Sequence, residues 1–288
     1  MTRVRVPASS ANMGPGFDGL AVALSLGADV GVVDDGTGGG LPERAHVVDE
    51  SHPATVAFRR GEGRGRLWVR SPIPMGRGLG YSGAMRVGGL AAALVQRHGA
   101  EVLDAGRSDT RAEMLGVTAE LEGHADNVAA SIHGGVVATA SGSAARIPTP
   151  LAPVVLVWIP ATTTSTDRSR SALPSTVPFA DAVFNVAHTA LLVAALAAGD
   201  VAALAVAARD RLHQDRRLAA VAPARAALVS GLEAGAWCGW LSGSGPTIAL
   251  FCAADDVDRV TAALPPDGDV KRLGVADHGV RLVATTSA

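Results

Sequence analysis

The chain has 288 residues, of which 48% are hydrophobic and 18% charged, and its formal net charge is −2. These values describe a globular chain that can bury a large core, and they give no general attraction to nucleic acid or to anionic membranes. Two cysteines, Cys238 and Cys252, are too few for a disulfide framework. No signal-peptide pattern is visible, and the longest apolar run, 190–198, is shorter than the roughly 18 residues that a membrane span needs. We therefore expect a soluble, cytoplasmic protein.

The first half of the chain is predicted to mix strands and helices, from its apolar periodicity and its glycine and proline breaks. The segment ASSANMGPGFD has the composition of a loop, 36–40 that of a turn-rich break, and the glycine pair at 134–135 that of a helix end. The predicted strands are 4–7, 20–33, 66–69 and VVATA, and the predicted helices are 84–99, 112–121 and 126–134.

The second half has the same mixture, with apparent hairpin neighbours, which favours an α+β fold over a regular doubly wound sheet. A Gly/Ser/Pro-rich stretch, 141–153, is predicted to contain the domain boundary, which divides the chain into residues 1–150 and 151–288. The predicted elements are a strand at 154–159, a loop at 161–176, helices at 178–197, 200–212 and 222–234, strands at 236–241 and 247–253 around an SGSGP turn, a helix at 255–264 and a strand at 280–285.

The stretch PIPMGRGLGYSGA (72–84) combines a glycine-rich loop with the start of a helix. Its G-x-G-x-x-G match is weak evidence for a dinucleotide site, because Pro72 and Pro74 keep the preceding strand from reaching Gly78. A Walker loop needs a lysine, and the only lysine of the chain is Lys271. Two interpretations remain: loop amides and a helix N-terminus that hold a phosphate, with the Ser82 hydroxyl beside them, or a glycine-lined packing turn.

Three other stretches carry candidate functional groups. PASSANMGPGFD places Asn12 and Asp18 in one loop, and LSGSGPT could present further amides to an anion or form an ordinary hairpin. ELEGHADNVAASIHGG sets four polar side chains at the start of an apolar helix: Glu120, His124, Asp126 and Asn127. Asp126 or Asn127 is also compatible with a simple helix N-cap and His124 with a surface histidine, and His124 with Glu120 is too sparse for a zinc site. No nucleophile elbow of the Gly-x-Ser-x-Gly type has the required flanks, which disfavours hydrolase chemistry.

In this order, the four stretches resemble the motifs of the GHMP kinase superfamily, and PASSANMGPGFD with EGHADNVA resembles its homoserine kinase branch. The resemblance covers nearly the whole chain. It implies an α+β GHMP kinase fold, with an N-terminal ATP-binding domain like domain 2 of ribosomal protein S5 and a C-terminal ferredoxin-like domain. It also implies phosphate transfer from ATP, with Mg²⁺, to the hydroxyl of L-homoserine in threonine biosynthesis, and a possible homodimer, with no nucleic-acid or membrane partner.

The same resemblance assigns roles to individual residues. Ser82 and Glu120 correspond to magnesium ligands, and Asn127 corresponds to the residue that orients or polarises the substrate hydroxyl. DRSRSALP and LHQDRR supply two arginines suited to a substrate carboxylate. The implied substrate-binding residues are Asn12, Asp18, His124, Asp126, Arg170 and Arg217, and the implied ATP-binding residues are Pro74, Met75, Gly76, Arg77, Gly78, Leu79, Gly80, Tyr81, Ser82, Gly83 and Ala84.

Some residues depart from the family pattern. Tyr81 stands where the loop usually has a serine, Gly83 where it more often has alanine, and Asp215 with Arg216 replaces the usual Pro-Tyr. The alternatives are therefore a kinase of another small hydroxylated acid, a nucleotide-binding protein with reduced catalysis, and a dinucleotide oxidoreductase.

Overall fold

The computed structural model describes residues 2–33, 40–104, 108–164 and 166–283, and the predicted break at 36–40 lies largely outside them. Antiparallel pairs form two sheets. In the first, the order is β11-β1-β2-β4-β3, and β5 extends β2 and pairs with β6. Its strands are β1 (Arg3–Ala11), β2 (Leu20–Val32), β3 (His46–Val47), β4 (Leu67–Arg70), β5 (Val136–Ala140), β6 (Ser143–Ile147) and β11 (Arg281–Leu282).

Four helices accompany this sheet: α1 (Pro53–Arg60), α2 (Tyr81–His98), α3 (Ser108–Glu122) and α4 (Asp126–His133). Helix α2 is buried along most of its length, and Gly88 and Gly89 let it approach the sheet and α1, since a Cβ at either position would overlap Val30 or the Ala54 carbonyl. The first turns of α2 and α4 lie against each other, since a Cβ on Gly83 would contact Asn127 and Val128.

The second sheet has the order β10-β7-β9-β8. Its strands are β7 (Val154–Pro160), β8 (Cys238–Leu241), β9 (Ile248–Cys252) and β10 (Gly268–Gly274), and its helices are α5 (Thr166–Ser171), α6 (Phe179–Ala198), α7 (Val201–Ala207), α8 (Gln214–Leu218), α9 (Ala222–Glu233) and α10 (Val257–Ala263). One buried cluster continues from the first sheet into this half through residues such as Trp240 and Phe251. The two halves therefore share a core.

Several predicted boundaries were wrong. The loop predicted from Ala8 begins later, because Ala8–Ala11 pairs with Leu24–Ala21 as the continuation of β1. The predicted helix 200–212 ends at Ala207, and the predicted strand 280–285 is described only at Arg281–Leu282, where it pairs with β1. The short elements β3, α1, β6, α5 and α8, and the strand β10, were not predicted.

Helix α6 is apolar but carries side chains that attach it to the first half. Asn185 and Thr189 both donate hydrogen bonds to the Pro15 carbonyl, at 3.1 and 3.0 Å. Among the described residues α6 is also the one helix long and apolar enough to cross a membrane by length and composition, a test that core helices of soluble proteins pass as well. In this fold, α6 supports the loop after β1.

Candidate active site

A cavity of about 150 Å³ lies where the two halves meet. The loop after β1, the glycine loop before α2, the first turn of α4 and the turn between β8 and β9 all reach it. Its lining residues are Ala11, Asn12, Phe17, Asp18, Pro74, Gly76, Gly78, Leu79, Gly80, Tyr81, Ser82, Glu122, His124, Asp126, Asn127, Thr164, Arg170, Arg217, Gly243 and Ser244. Segments far apart in the chain thus converge on one site.

The glycine loop passes against backbone from two other segments. Gly78 has a φ of +75°, and a Cβ there would overlap the Ser242 carbonyl oxygen. The Ser242 hydroxyl donates to the Gly78 carbonyl at 2.6 Å. Gly80 has a φ of +68°, and a Cβ there would overlap the Ser9 hydroxyl. Because only glycine combines these conformations with so little space, the loop is glycine-rich for a geometric reason.

Helix α2 begins directly after this loop with no side chain capping it. Gly80 is its N-cap residue, and the first amide bonded back to the helix is that of Ala84, which donates to the Gly80 carbonyl at 2.9 Å. The backbone amides of the residues just before Ala84 lie at the end of α2 that faces the cavity, where the helix dipole favours an anion. This end of α2 therefore has the properties of a phosphate site.

Beside these amides, Ser82 is bonded to a carboxylate. Its hydroxyl donates to Glu122 Oε2 at 2.9 Å, and the Arg86 guanidinium donates both to the Ser82 oxygen, at 2.9 Å, and to Glu122. Glu122 is 11% exposed and Arg86 20%. The carboxylate is therefore held in place by a fixed cation and a hydroxyl.

Glu120, the magnesium ligand expected from the sequence, does not line the cavity. Its side chain is 68% exposed and pairs with Arg60, 3.5 Å away, outside the cavity. Residues two apart on a helix point about 200° apart, so Glu120 and Glu122 cannot both face Ser82. The structure brings Glu122 to the position expected for Glu120.

The first turn of α4 presents an acid and an amide to the cavity. Asn127 Oδ1 accepts a hydrogen bond from the buried Ser9 hydroxyl at 2.8 Å, which leaves the NH₂ group of this amide as its remaining polar group. Asp126 Oδ1 accepts from His124 Nδ1 at 2.8 Å and from the backbone amide of Asn127 at 2.6 Å. Burial lowers the pKa of His124, but the hydrogen bond and the charge of Asp126 outweigh it, and the net pKa is raised.

The loop after β1 is held in left-handed conformations that present its polar residues. Asn12 and Asp18 have φ values of 74° and 56°. Asn12 donates to the Gly243 carbonyl at 2.8 Å and accepts from the Asp18 amide at 3.2 Å. Asp18 in turn forms a two-point ion pair with Arg170, at 2.7 and 2.8 Å. Two oppositely charged groups of the cavity lining are thus in direct contact.

Arg217 lies deeper and has a different environment. Its side chain is buried, stacks 5.2 Å from the centre of the Phe17 ring, and donates to His213 Nδ1 at 3.3 Å and to the Gly243 carbonyl at 3.2 Å. Burial, followed by the charge of Arg170, lowers its pKa. Among the side chains that the structure describes, which exclude those of residues 166 and 167, no carboxylate lies at ion-pair distance from Arg217, so its charge is available to a ligand.

His213 fixes the position of Arg217. The Gly14 carbonyl accepts from His213 Nε2 at 2.9 Å, so the proton of the ring is on Nε2 and Nδ1 accepts from Arg217. Burial lowers the pKa of His213, which keeps the ring neutral. Asp210 accepts from the His213 and Gln214 amides at 2.9 and 2.7 Å and so anchors the start of α8.

Most of the predicted site residues line the cavity, and five do not. Besides Glu120, these are Met75, which is 65% exposed, Arg77, which donates to the Pro160 carbonyl, and Gly83 and Ala84, which are buried in α2. The sequence analysis missed Phe17, Glu122, Arg86, Ser9 and Thr164. Phe17 and Glu122 stand within stretches that were singled out, so closer attention to their neighbours could have found them.

The chain matches two models of one family. Residues 48–135 match the GHMP kinases N terminal domain, and residues 192–268 match the GHMP kinases C terminal model. Among solved structures, a homoserine kinase from Cytophaga hutchinsonii superposes with a TM-score of 0.81 at 24% identity, over 98% of this chain and 97% of that one, which shows the same fold.

Curated relatives extend this match over nearly the full length. A homoserine kinase of Thermus thermophilus is 36% identical over 96% of this chain and 97% of its own length. A homoserine kinase of Streptomyces coelicolor is 37% identical over 99% of this chain and 96% of its own. With the fold and the four motif segments gathered around one cavity, these matches show that the chain belongs to the GHMP kinase family, in its homoserine kinase branch.

Proposed function

We propose that this protein is a homoserine kinase, which transfers the γ-phosphate of ATP to the hydroxyl of L-homoserine to give O-phospho-L-homoserine in threonine biosynthesis. One observation carries the proposal: a single cavity is lined by Asp18, Arg170 and Arg217 and also by the glycine loop and the uncapped start of α2. Such a cavity suits an amino acid beside a phosphate chain. Family membership implies ATP as the donor.

The charged side of the cavity complements a zwitterion. Asp18 is suited to the ammonium, and Arg217 and Arg170 to the carboxylate, because guanidinium groups bind carboxylates at two points. In the absence of ligand, Asp18 and Arg170 satisfy each other. A bound amino acid would exchange this ion pair for one contact with each of its own charged ends, and Asn12, His124 and Asp126 would complete the pocket.

The glycine loop and α2 would bind the phosphate chain, with Pro74, Gly76, Gly78, Leu79, Gly80, Tyr81 and Ser82 in contact with ATP. The cavity is smaller than the roughly 300–1,000 Å³ of most small-molecule pockets, so we place only the reacting end of ATP inside it. The base and ribose would lie along its open mouth.

The residues around Ser82 fit a magnesium ion bound together with ATP. Mg²⁺ prefers oxygen ligands and is usually held by one or two carboxylates plus substrate phosphates, and Ser82 and Glu122 offer a hydroxyl and a carboxylate. The described part of the chain has no cluster of three or more acidic, histidine or cysteine side chains that would hold an ion alone. When bound, the ion would neutralise charge on the phosphates.

Catalysis would come mainly from positioning and charge neutralisation. Asn127, fixed by Ser9, would donate from its NH₂ group to the homoserine hydroxyl and hold that oxygen toward the phosphate loop. A base paired with a lysine is not available, because Lys271 lies on β10 and pairs with Asp269. The substrate hydroxyl would therefore attack directly.

The test is a coupled ADP-release assay with L-homoserine, L-threonine, L-serine and mevalonate. We expect turnover of L-homoserine with a kcat/KM far above that of the other three alcohols. Preference for another alcohol would assign the protein to a different substrate within the family. ATP binding without turnover of any of them would contradict catalysis and indicate a nucleotide-binding protein.

We also propose that two copies associate through α6 and that the protein is cytoplasmic. Phe179, Val183 and Val186 stand four and three residues apart, on one face of α6, and are 85%, 51% and 72% exposed. An exposed apolar stripe of this kind is typical of an interaction surface. Light scattering should give twice the chain mass, and Val186→Glu should halve it; a monomeric wild type at micromolar concentration would contradict this.

The division into residues 1–150 and 151–288 also remains our proposal.

A further inference from the structure

Tyr81 replaces a small hydroxyl residue in the loop, and its phenol is bonded to one partner. His52 Nε2 lies 3.0 Å from the Tyr81 oxygen, and the two rings meet edge to face with centroids 6.2 Å apart. Tyr81 lines the cavity and its ring packs against the core, so the phenol is both anchored and accessible to a ligand. His52 itself is not among the cavity residues.

The backbone of α1 determines which atom donates in this pair. His52 is the N-cap residue of α1, and its Nδ1 accepts from the Ala54 amide at 3.2 Å. A ring nitrogen that accepts carries no proton, so the proton of the neutral ring is on Nε2, and Nε2 donates to the Tyr81 oxygen. Burial lowers the pKa of His52, which is consistent with a neutral ring.

The phenol proton must then point away from His52. A phenol oxygen that accepts from His52 keeps its own O–H as a donor, and the structure gives that O–H no acceptor among the described residues. The group is protonated at neutral pH, since an ordinary phenol loses its proton only at about pH 10. A protonated donor without an acceptor, at the start of the helix that would bind phosphates, is complementary to an anionic nucleotide.

We propose that Tyr81 donates a hydrogen bond to the bound nucleotide and that His52, which contacts neither substrate, is the positioning residue that directs this donor. The inference rests on the proposed function in that ATP occupies the glycine loop. It assigns a role to His52 and accounts for Tyr81: the phenol supplies the hydroxyl that the missing serine would have supplied, from a different direction. The backbone cap of α1 and nucleotide binding are thereby linked through one imidazole ring.

The binding experiment uses the full-length protein and a non-hydrolysable β,γ-imido analogue of ATP with Mg²⁺, measured by calorimetry. We expect Tyr81→Phe, which keeps the ring, to raise the Kd about tenfold, as for the loss of one hydrogen bond to a charged group. His52→Asn keeps an N-cap residue for α1 but cannot reach Tyr81, and should raise the Kd severalfold while leaving Tm nearly unchanged. The double variant should be no weaker than Tyr81→Phe.

In all three variants the rise in the KM for homoserine should be smaller than the rise in the Kd of the ATP analogue, because the phenol is proposed to donate to the nucleotide and not to the amino acid. An unchanged Kd in Tyr81→Phe, an unchanged Kd in His52→Asn, or a double variant whose loss is the product of the two single losses would overturn the inference. If one of these contradicting results is found while wild type phosphorylates homoserine, the proposed function stands and only the roles proposed for Tyr81 and His52 are wrong. Failure of wild type to bind the analogue would instead overturn both.

A spectroscopic readout is also available because Tyr81 is the only tyrosine of the chain. Tyrosine labelled with ¹³C at the phenol carbon gives a single NMR resonance, which reports the hydrogen bonding of this one hydroxyl. The ATP analogue should shift this resonance in wild type, and should shift it less in His52→Asn, while homoserine alone should leave it in place. A resonance that the nucleotide does not move would contradict the inference.

Discussion

At the scale of single residues, the selectivity of the cavity depends on Arg217. Among the described side chains its buried charge has no carboxylate partner, whereas Arg170 is paired with Asp18. We predict that Arg217→Gln raises the KM for homoserine about ten- to a hundredfold, the effect of losing a hydrogen bond between charged groups, and leaves ATP-analogue affinity almost unchanged. The matched control is Arg216→Gln, since Arg216 is the exposed neighbour on α8. Equal effects of the two variants would refute the assignment.

The two glutamates at the end of α3 form a second matched pair. Glu122→Gln should raise the magnesium concentration needed for half-maximal activity at least tenfold, because a hydrogen-bonded carboxylate beside Ser82 is lost. Glu120→Gln should behave as wild type, since Glu120 is exposed and its ion pair is with Arg60, outside the cavity. Magnesium titrations of both variants at saturating ATP check this, and a stronger effect at Glu120 would restore the role first expected for it.

These residues also show where sequence reasoning succeeds at this scale. Asp18, His124 and Arg217 stand in stretches with recognisable spacing, and the structure places all three in the cavity. Glu120 and Glu122 stand in the same stretch, and the choice between them depends on which face of α3 packs toward α2. The orientation of α3 about its own axis depends on tertiary packing, so the sequence alone could not show which of the two glutamates faces Ser82.

At the scale of elements, the glycine loop is the most constrained segment of the site. Gly78 and Gly76 both have positive φ, +75° and +65°, but only at Gly78 would a Cβ overlap backbone; at Gly76 the nearest atom is 3.5 Å away. Gly76→Ala should therefore cost about 1–2 kcal/mol of the free energy of unfolding and lower the affinity for the ATP analogue less than Gly78→Ala does. Gly78→Ala should also displace the loop from Ser242 and reduce analogue affinity more than tenfold. Calorimetry and urea unfolding of both variants measure this, and comparable affinities would contradict it.

The longest helices could be predicted, and several short elements could not. The predicted helices 84–99, 126–134, 178–197 and 222–234 correspond to α2, α4, α6 and α9 within a few residues, because an apolar stripe over several turns is visible in sequence. Helices α5 and α8 have six and five residues, too few to be stable without the tertiary contacts that hold them. Both carry an arginine of the cavity, so the least predictable elements position part of the candidate site.

At the scale of the whole molecule, stability should fall in acid partly through His133. Burial, and then the charges of Arg111 and Arg146, lower the pKa of His133 from 6.5 to about 4. Between these two pH values the folded state therefore binds fewer protons than the unfolded state. The contribution of His133 to the free energy of unfolding is full above about pH 6.5 and is lost as the pH falls to about 4. His133→Gln should lose less Tm than wild type between pH 7 and pH 4. Parallel curves for the two proteins would show that His133 does not titrate in this way.

The arrangement of the whole chain also explains why the site forms at the junction of its halves. Asn12 bonds to Gly243, Ser10 to Ser242, and Ser242 to Gly78, so three distant segments are fixed against one another. The sequence predicted the segments and their order, from motifs that resemble one family. It could not predict these contacts, because they join residues more than 150 positions apart.

The most direct test of this account is a crystal structure of the protein with a non-hydrolysable ATP analogue, magnesium and L-homoserine. We predict that the triphosphate binds the amides of residues 78–83, with the homoserine carboxylate on Arg217 and its ammonium on Asp18. A triphosphate bound away from this loop, or an amino acid outside the cavity lined by Asp18 and Arg217, would contradict it.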